Sequence, residues 1–192
     1  MPAAPAGRSI WVPPEVRSMV ARALTFLLTL LFAAPFPATA QGDIPRLADE
    51  VSRSIRTYPR LTIFDDVSGR LEGGTVLLSG KVTLAQKRDE LEQRIRSVPG
   101  VDAVRNEIQV LPASGSDDAL RRRVARAIYG SAGFWRYAAL PRPPIHILVE
   151  HGHVTLTGIV ASDSERALAH SLASGHGERS VTNALRTDVA AR

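Results

Sequence analysis

Two histidines and two aspartates of this 192-residue chain stand at spacings that could support chemistry. His151 and His153 flank a turn between two strand-like segments, so their side chains share one face and could both hold a metal ion. No third ligand has a suitable spacing, and we adopt the alternative of histidines exposed beside a turn. Asp65 and Asp66 could be imagined as an acid/base pair, but neighbouring strand residues point to opposite faces. We therefore predict neither a metal site nor a carboxylate pair.

Sequence motifs of the common enzyme classes are missing. There is no Gly-x-Ser-x-Gly nucleophile elbow, no phosphate-binding loop and no metalloprotease helix. The chain also has no cysteine, which excludes disulfides, thiolate chemistry and a lipid-modified cysteine. We therefore predict a protein without enzymatic activity and without a cofactor.

Charge is divided unevenly along the chain. Residues 41–112 carry 11 basic and 11 acidic side chains, whereas residues 113–192 carry 10 arginines, 7 acidic side chains and all five histidines. An excess of three positive charges is too small to predict nucleic-acid binding. A function that depends on cations is therefore expected in the second half of the chain.

A group of arginines and aromatic residues in this second half is the main candidate for a binding surface. On a helix predicted over 117–129, Arg122 and Arg126 fall opposite the apolar face, and Arg121 flanks that face. Guanidinium groups beside Trp and Tyr suit the headgroup region of a membrane. The alternative is a solvated helix face next to aromatic side chains that fill the core. The candidate lipid-binding residues are Arg121, Arg122, Arg126, Phe134, Trp135, Arg136, Tyr137 and Arg142.

The fold that must position these residues occurs twice. A pattern of glycines and alternating apolar residues over 74–82 returns 78 positions later, over 152–160. A second pattern, Gly-x-x-x-Val-x-Asn-x-apolar, begins at Gly100 and returns 77 positions later at Gly177. Two markers that keep their separation to within one residue indicate a duplicated folding unit.

The first unit begins with a predicted helix and a hairpin. Residues 47–58 place apolar side chains at helical spacing, and residues 61–64 are typical of a strand. A turn at Gly73 and Gly74 joins this strand to a second one over 76–82. Thr83-x-x-Gln86 then has the spacing of a capping box at the start of a helix. The apolar side of that helix is predicted from Leu84, Arg88, Leu91, Ile95 and Val98, and a third strand follows over 104–111.

The second unit repeats this order. The helix over 117–129 is followed by strands over 145–149 and 154–160, a helix capped by Ser162-x-x-Glu165, and a last strand over 181–189. A helical crossover between the second and third strands makes them parallel, next to an antiparallel hairpin. The predicted fold class is α+β: two tandem αββαβ sandwiches, each a mixed three-stranded sheet with two helices on one face.

Several small residues at equivalent positions of the two units are predicted to be structural. Gly74 and Gly152 lie in the hairpin turns, and Gly80 and Gly158 lie inside strands, where we expect a helix to cross the sheet closely. An asparagine near the start of each last strand is predicted to bond to local backbone. These asparagines are Asn106 and Asn183.

This doubled pattern resembles the BON (bacterial OsmY and nodulation) domain. The resemblance covers roughly residues 44–111 and 117–190, joined by a linker over 112–116. Two departures are Glu178, where Val101 provides an apolar residue in the first unit, and a longer segment over 130–144. The resemblance implies a dual-BON periplasmic protein that attaches to anionic phospholipid and supports envelope integrity or stress tolerance. A soluble protein-interaction or chaperone-like module, with envelope proteins as partners, is the alternative.

The start of the chain resembles a targeting segment. Arg17 and Arg22 precede a short apolar run over 24–32, and Ala38-x-Ala40 supplies a cleavage signature. Residues 1–40 are therefore predicted to be a signal peptide cleaved after Ala40, and Met19 is an alternative start. A retained N-terminal anchor is the other interpretation. Export without disulfides fits a bacterial periplasm, where the protein would be soluble or peripherally bound to a membrane.

Overall fold

The computed structural model describes residues 43–188, in which the first repeat has the predicted order of elements. Strands β1 and β2 form an antiparallel hairpin, and β3 returns parallel to β2 after a helical crossover. The predicted mixed sheet of an α+β fold is confirmed. The elements are α1 (Asp43–Arg56), β1 (Asp66–Glu72), β2 (Thr75–Val82), α2 (Ala85–Arg96) and β3 (Ala103–Val110).

The second repeat has the same order with two additions. A short helix, α4, forms inside the longer segment that precedes its first strand. Its last strand divides into β6 and β7, which both pair with β5 and give this sheet four strands instead of three. The division falls at Leu185, which is buried and donates its backbone N–H to Asn183 Oδ1. The elements are α3 (Gly115–Tyr129), α4 (Trp135–Ala138), β4 (Ile145–Glu150), β5 (His153–Val160), α5 (Asp163–Ala173), β6 (Ser180–Asn183) and β7 (Arg186–Thr187).

Each repeat buries its own apolar core between the sheet and the helices. The two cores use the same alternation along the central strand, so Val76 and Leu78 correspond to Val154 and Leu156, all fully buried. The first core consists of Val51, Ile55, Tyr58, Val76, Leu78, Val82, Leu91, Ile95, Val98 and Ile108. The second consists of Leu120, Val124, Ile128, Phe134, Ile145, Ile147, Val149, Val154, Leu156, Val160, Ala169, Ala173 and Leu185.

The strand predicted over 61–64 is wrong, because this segment forms a turn and β1 begins only at Asp66. The Asp65 carboxylate stabilises the turn by accepting the backbone N–H of Thr62 at 2.8 Å. The backbone N–H of Asp65 donates in return to the carbonyl of Thr62. A side chain that bonds to nearby backbone competes with strand pairing, and this explains the later start of β1.

The predicted N-terminal cap of α2 is also wrong. The Thr83 hydroxyl donates to the Asp65 carboxylate, and no side chain caps α2. The buried face of α2 carries Lys87, Leu91 and Ile95, whereas Leu84 is 52% exposed. The corresponding cap of α5 is confirmed, because Ser162 Oγ accepts the backbone N–H of Glu165.

Two smaller boundaries also differ from the sequence prediction. The linker predicted over 112–116 is shorter, because Ser114 caps α3 through the N–H of Asp117 and the helix begins at Gly115. Helix α1 ends at Arg56 rather than at residue 58.

The asparagine prediction is confirmed and extended. Asn106 and Asn183 accept a backbone N–H two residues ahead, and each also donates to a carbonyl of the preceding helix.

The glycines inside the central strands are required because a side chain there would clash with backbone at or next to the start of the neighbouring strand. The predicted reason, a helix that crosses the sheet closely, is wrong at these two positions. Gly80 has a φ of +123°, and a Cβ there would lie 2.1 Å from the carbonyl oxygen of Asp66. Gly158 has a φ of +115°, and its Cβ would lie 1.9 Å from the carbonyl oxygen of Pro144. Helix α1 approaches the sheet closely at Gly69 instead, where an added Cβ would lie 2.8 Å from the side chain of Ile55. The turn glycines lie in the two hairpin loops as predicted; they are Gly74 and Gly152.

The two repeats contact each other through polar groups and through Ile63 and Phe64 of the first repeat, which pack against the core of the second. The backbone N–H of Ile147 donates to the carbonyl of Ile63 at 2.7 Å. Lys81 forms an ion pair with Glu150. The hydrogen bond that Lys81 donates in this pair holds the pKa of the Glu150 carboxyl below its usual value. Beside these contacts the repeats border a cleft of about 390 Å³. Its lining includes Ile55, Arg56, Asp66, Val67, Arg142 and His146.

The predicted signal peptide over 1–40, its cleavage after Ala40 and the alternative start at Met19 lie outside the described residues, as do the last two residues of the predicted second domain. Between residues 43 and 188, every helix is too short or too polar to cross a membrane.

Candidate functional site

The eight candidate lipid-binding residues all lie on α3, on α4 or in the segments directly before and after α4. Helix α4 exists because Phe134 turns inward, and backbone N–H groups from Tyr137 and Ala138 then bond to the Phe134 carbonyl. Both α4 and α5 pack against α3. The structure therefore brings the predicted residues into one region of the second repeat, although it does not expose all of them.

Arg121 lies inside the protein, so its assignment to a lipid-binding surface is wrong. It is 4% exposed, it forms an ion pair with Asp118, and its guanidinium donates to the backbone carbonyl of Val149 at 2.6 Å. That carbonyl belongs to β4 and points away from β5. Arg121 therefore donates a hydrogen bond to the outer edge of β4. This role depends on tertiary structure.

Replacing Arg121 with alanine is expected to lower the free energy of unfolding by about 1.5–3 kcal/mol, because a charged donor to a buried carbonyl is lost. The neighbouring Arg122 is exposed and makes no ion pair in the described part of the chain, so its alanine variant is expected to stay within about 0.5 kcal/mol of wild type. Urea unfolding followed by far-ultraviolet circular dichroism measures both values. Equal losses in the two variants would contradict the structural role of Arg121.

Phe134 is the second predicted residue that cannot reach a membrane. It is fully buried in the core of the second repeat, and its ring stacks on Tyr137 with a centroid distance of 5.9 Å. The interpretation left open by the sequence, aromatic side chains that fill the core, is therefore correct for Phe134. It is not correct for its neighbour Trp135, which is 69% exposed.

Arg136 and Tyr137 belong to a polar network around Glu165. The Arg136 guanidinium forms an ion pair with this carboxylate and lies 4.8 Å from the centre of the Tyr137 ring. The Tyr137 hydroxyl donates to the same carboxylate at 2.7 Å, and the backbone N–H of Ala161 donates at 3.0 Å. Burial, with the bond to Glu165, raises the pKa of Tyr137, so the hydroxyl keeps the proton that it donates. These contacts attach α4 to the start of α5.

Three large apolar side chains of the second repeat remain exposed, and we call them the Trp135 group. Trp135 is joined by Leu140, 46% exposed, and by Leu168, 38% exposed. Leu168 lies close to the tryptophan segment, since a Cβ on Gly133 would be 2.7 Å from Leu168 Cδ2. Isolated apolar side chains are common on surfaces, but several near one another mark an interaction site more often.

The remaining predicted cations occupy two different places. Arg122 and Arg126 are exposed on α3, and neither forms an ion pair within residues 43–188. Arg142 also lines the cleft between the repeats, where its guanidinium donates to the backbone carbonyl of Tyr58 at 3.2 Å. Arg142 therefore takes part in the contact between repeats, and Arg122 and Arg126 are the cations that can meet an external anion.

The histidine pair does not form a metal centre with other side chains of the described residues. Among residues 43–188, His, Asp and Glu side chains never gather in a group of three suited to a metal ion. His153 Nδ1 is 2.7 Å from Ser180 Oγ, and His151 contributes its backbone N–H to Asp117. Asp117 is buried and also accepts the N–H of Gly152, so it holds the hairpin turn. Sequence reasoning missed this role of Asp117.

The two aspartates that looked like an acid/base pair are separated by burial. Asp65 is 1% exposed and forms an ion pair with Lys87 at 2.6 Å. Asp66 is the first residue of β1 and lines the cleft between the repeats. Sequence reasoning missed the partner of Asp65. The available signal was a lysine at helical spacing from Leu91 and Ile95, because a lysine on an apolar helix face needs a buried partner.

Comparison with known proteins agrees with the duplicated pattern. The family model described as BON domain matches residues 43–112 and again residues 116–188. No curated protein sequence matches the chain significantly.

Two matching solved structures, both from Chlamydia trachomatis, are titled as CdsD, a structural protein of the type III secretion system. The first is 16% identical and covers 74% of this chain and 93% of its own, with a TM-score of 0.28. The second, the C-terminal domain of CdsD, is 14% identical and covers 72% and 96%, with a TM-score of 0.27. At these scores the likeness carries no conclusion about function.

Proposed function

The chain belongs to the BON domain family through both of its repeats, and from this we propose that it is a non-enzymatic envelope protein that binds anionic phospholipid surfaces. The family is associated with phospholipid membranes. Binding is assigned mainly to the second repeat. The protein acts in the periplasm after export, where it supports envelope integrity or stress tolerance.

The observation that carries this proposal is the exposure of Trp135. An indole ring that is 69% exposed, with Leu140 and Leu168 also exposed, leaves apolar surface in contact with water. Tryptophan is the side chain best suited to the boundary between headgroups and acyl chains. Its neighbour Phe134 is anchored in the core, and Arg136 and Tyr137 are tied to Glu165, so the ring is presented on a fixed support.

Cations of the second repeat supply the preference for anionic lipid. Arg122 and Arg126 are exposed on α3, the helix against which α4 packs. Each cation near an anionic membrane contributes about 1 kcal/mol, and this contribution falls within a Debye length. Binding is therefore expected to require anionic lipid and to weaken as salt is raised.

The triple variant Arg122→Ala, Arg126→Ala, Trp135→Ala is expected to bind phosphatidylglycerol vesicles at least about thirtyfold more weakly. Loss of two cations removes about 2 kcal/mol, and loss of the indole adds to it. Co-sedimentation with vesicles of phosphatidylglycerol and phosphatidylcholine measures the affinity. The matched control changes exposed residues of the first repeat, Arg46, Arg105 and Leu84, to alanine, and it is expected to bind like wild type.

Two results would contradict parts of this proposal. Undiminished binding by the triple variant would remove the assignment to the Trp135 group and α3. Absence of binding to all vesicles by the wild-type protein would overturn the lipid function and favour the protein-interaction or chaperone-like module, with envelope proteins as partners.

A further inference from the structure

The outer edge of β4 in the second repeat is partly closed by hydrogen bonds. In this hairpin, Glu150 and His153 flank the two-residue loop and pair with each other, so Ile145, Ile147 and Val149 direct their backbone groups away from β5. One outward group of each of these three residues is bonded. Tyr129 donates to the carbonyl of Ile145, the N–H of Ile147 donates to Ile63, and Arg121 donates to the carbonyl of Val149.

The equivalent edge of β1 in the first repeat is open. By the same hairpin geometry, Val67, Gly69 and Leu71 direct their backbone groups away from β2. In the described part of the chain, no hydrogen bond reaches these outward groups. The helix positions that correspond to Arg121 and Tyr129 hold Ala48 and Arg56, and neither side chain bonds to β1.

Strand β1 also lacks several of the features that usually protect an edge. It spans seven residues with no proline and no lysine, and all seven pair with β2 without an interruption. An exposed edge of this kind is a template for pairing with another strand. The end of β1 at Asp66 and Val67 borders the cleft of about 390 Å³ between the repeats, so an incoming strand has to enter that cleft.

Charges on the solvent face of β1 select one partner and one register. Asp66 and Arg70 form no ion pair within residues 43–188. If β1 of a second copy lies antiparallel with Ser68 opposite Ser68, Asp66 of each copy faces Arg70 of the other. Shifting this register by two residues loses both pairs. In one direction Asp66 lies opposite Glu72, and like charges directly opposite destabilise a sheet; in the other direction Asp66 lies opposite Ser68.

We propose that two copies of this chain pair through β1 to form a twofold dimer. Val67 of one copy and Gly69 of the other exchange backbone hydrogen bonds, and the two three-stranded sheets become one sheet of six strands. Two Asp66–Arg70 ion pairs fix the register. The interface is isologous, so it closes at two copies and does not extend into a fibre. The proposal is independent of membrane binding, since its residues lie on the first repeat.

Charge reversal tests the register. Sedimentation equilibrium of the purified protein is expected to give twice the chain mass. Asp66→Arg and Arg70→Asp are each expected to weaken dimerisation at least about tenfold, because two attractive pairs become repulsive. The double variant Asp66→Arg, Arg70→Asp restores both pairs and is expected to recover the wild-type dissociation constant to within about threefold. Arg105→Asp, on the exposed strand β3 at the opposite edge of the same sheet, is the matched control and leaves the dimer unchanged.

Hydrogen exchange of the wild-type protein gives a second test that needs no variant. The amides of Val67 and Gly69 are expected to be protected at concentrations where the dimer forms and to exchange freely on dilution. A protein that stays monomeric at all concentrations overturns the proposal. So does a dimer that leaves these amides unprotected, or one in which the double variant is no better than the single variants. Protection only after addition of another envelope protein would assign the edge to that protein instead.

Discussion

Replacing Asp65 with alanine is expected to lower the free energy of unfolding by about 3–5 kcal/mol, because removal of one partner leaves a buried charge unpaired. The Asp65 carboxylate accepts the ammonium group of Lys87 at 2.6 Å, and both side chains are almost fully buried. It also accepts the backbone N–H and hydroxyl groups of Thr62 and Thr83, at 2.7–2.9 Å. One carboxylate therefore joins the turn before β1, the end of β2 and helix α2.

Two further variants separate the charge from the hydrogen bonds. Lys87→Met leaves Asp65 with its four bonds to Thr62 and Thr83, so its loss of stability is expected to be smaller than that of Asp65→Ala. Asp66→Asn changes a neighbouring carboxylate that has no ion pair in residues 43–188, and at concentrations below those at which β1 pairs it is expected to stay within about 0.5 kcal/mol. Urea unfolding of the three variants gives the order. A loss for Asp66→Asn as large as that for Asp65→Ala would contradict the buried role of Asp65.

The same carboxylate makes stability depend on acid. Burial alone would raise the pKa of Asp65, but the bonds from Lys87, Thr83 and Thr62 outweigh it and hold the pKa below the usual 3.8. A group with a depressed pKa in the folded state stabilises the protein above its unfolded pKa. This contribution is lost as the pH falls from about 3.8 through the folded pKa. In Asp65→Asn, the decrease in unfolding free energy over this range is expected to be smaller than in wild type.

In both repeats the helix after the central strand forms an ion pair at the same position, but the signs of the two charges are exchanged. This explains why sequence reasoning missed the contacts of Asp65. Residues 83 and 87 correspond to residues 161 and 165, 78 positions later. In the first repeat the helix supplies Lys87 and the carboxylate comes from Asp65. In the second the helix supplies the carboxylate of Glu165, and the cation is Arg136 from α4. An alignment of the two repeats detects similar residues at equivalent positions. A contact whose two residue types are exchanged between the repeats is therefore not detected.

Sequence periodicity was sufficient for the hairpin turns, the crossovers and the central strands, since these depend on local alternation and turns, but it misplaced β1, whose start is set by the bonds of Asp65. It was not sufficient for individual members of the binding surface. Arg121 and Arg122 are neighbours on one helix, yet only Arg121 meets a strand edge that needs a donor. Phe134 and Trp135 are equally aromatic, and only the path of α4 decides which one turns into the core. Such distinctions depend on tertiary contacts that no spacing in the sequence records.

Replacing Gly158 with alanine is expected to lower the free energy of unfolding by more than about 3 kcal/mol. Its φ of +115° is strained for any side chain, and an added Cβ would lie 1.9 Å from the carbonyl oxygen of Pro144. That carbonyl cannot move away easily, because the next residue, Ile145, is paired with Gly158 and buried in the core. Urea unfolding followed by circular dichroism measures the loss.

A glycine in open surroundings provides the control for this prediction. Gly115, in the first turn of α3, has nothing within 4 Å of an added Cβ, and Gly115→Ala is expected to be neutral or to stabilise by up to about 1 kcal/mol. Gly158→Ala within about 0.5 kcal/mol of wild type would show that the strand does not hold this backbone shape. Gly80 has a φ of +123° and a contact of 2.1 Å with Asp66, so Gly80→Ala should lose a similar amount. Similar losses at both positions would show that this tight strand contact belongs to the duplicated unit itself, whatever residues surround it.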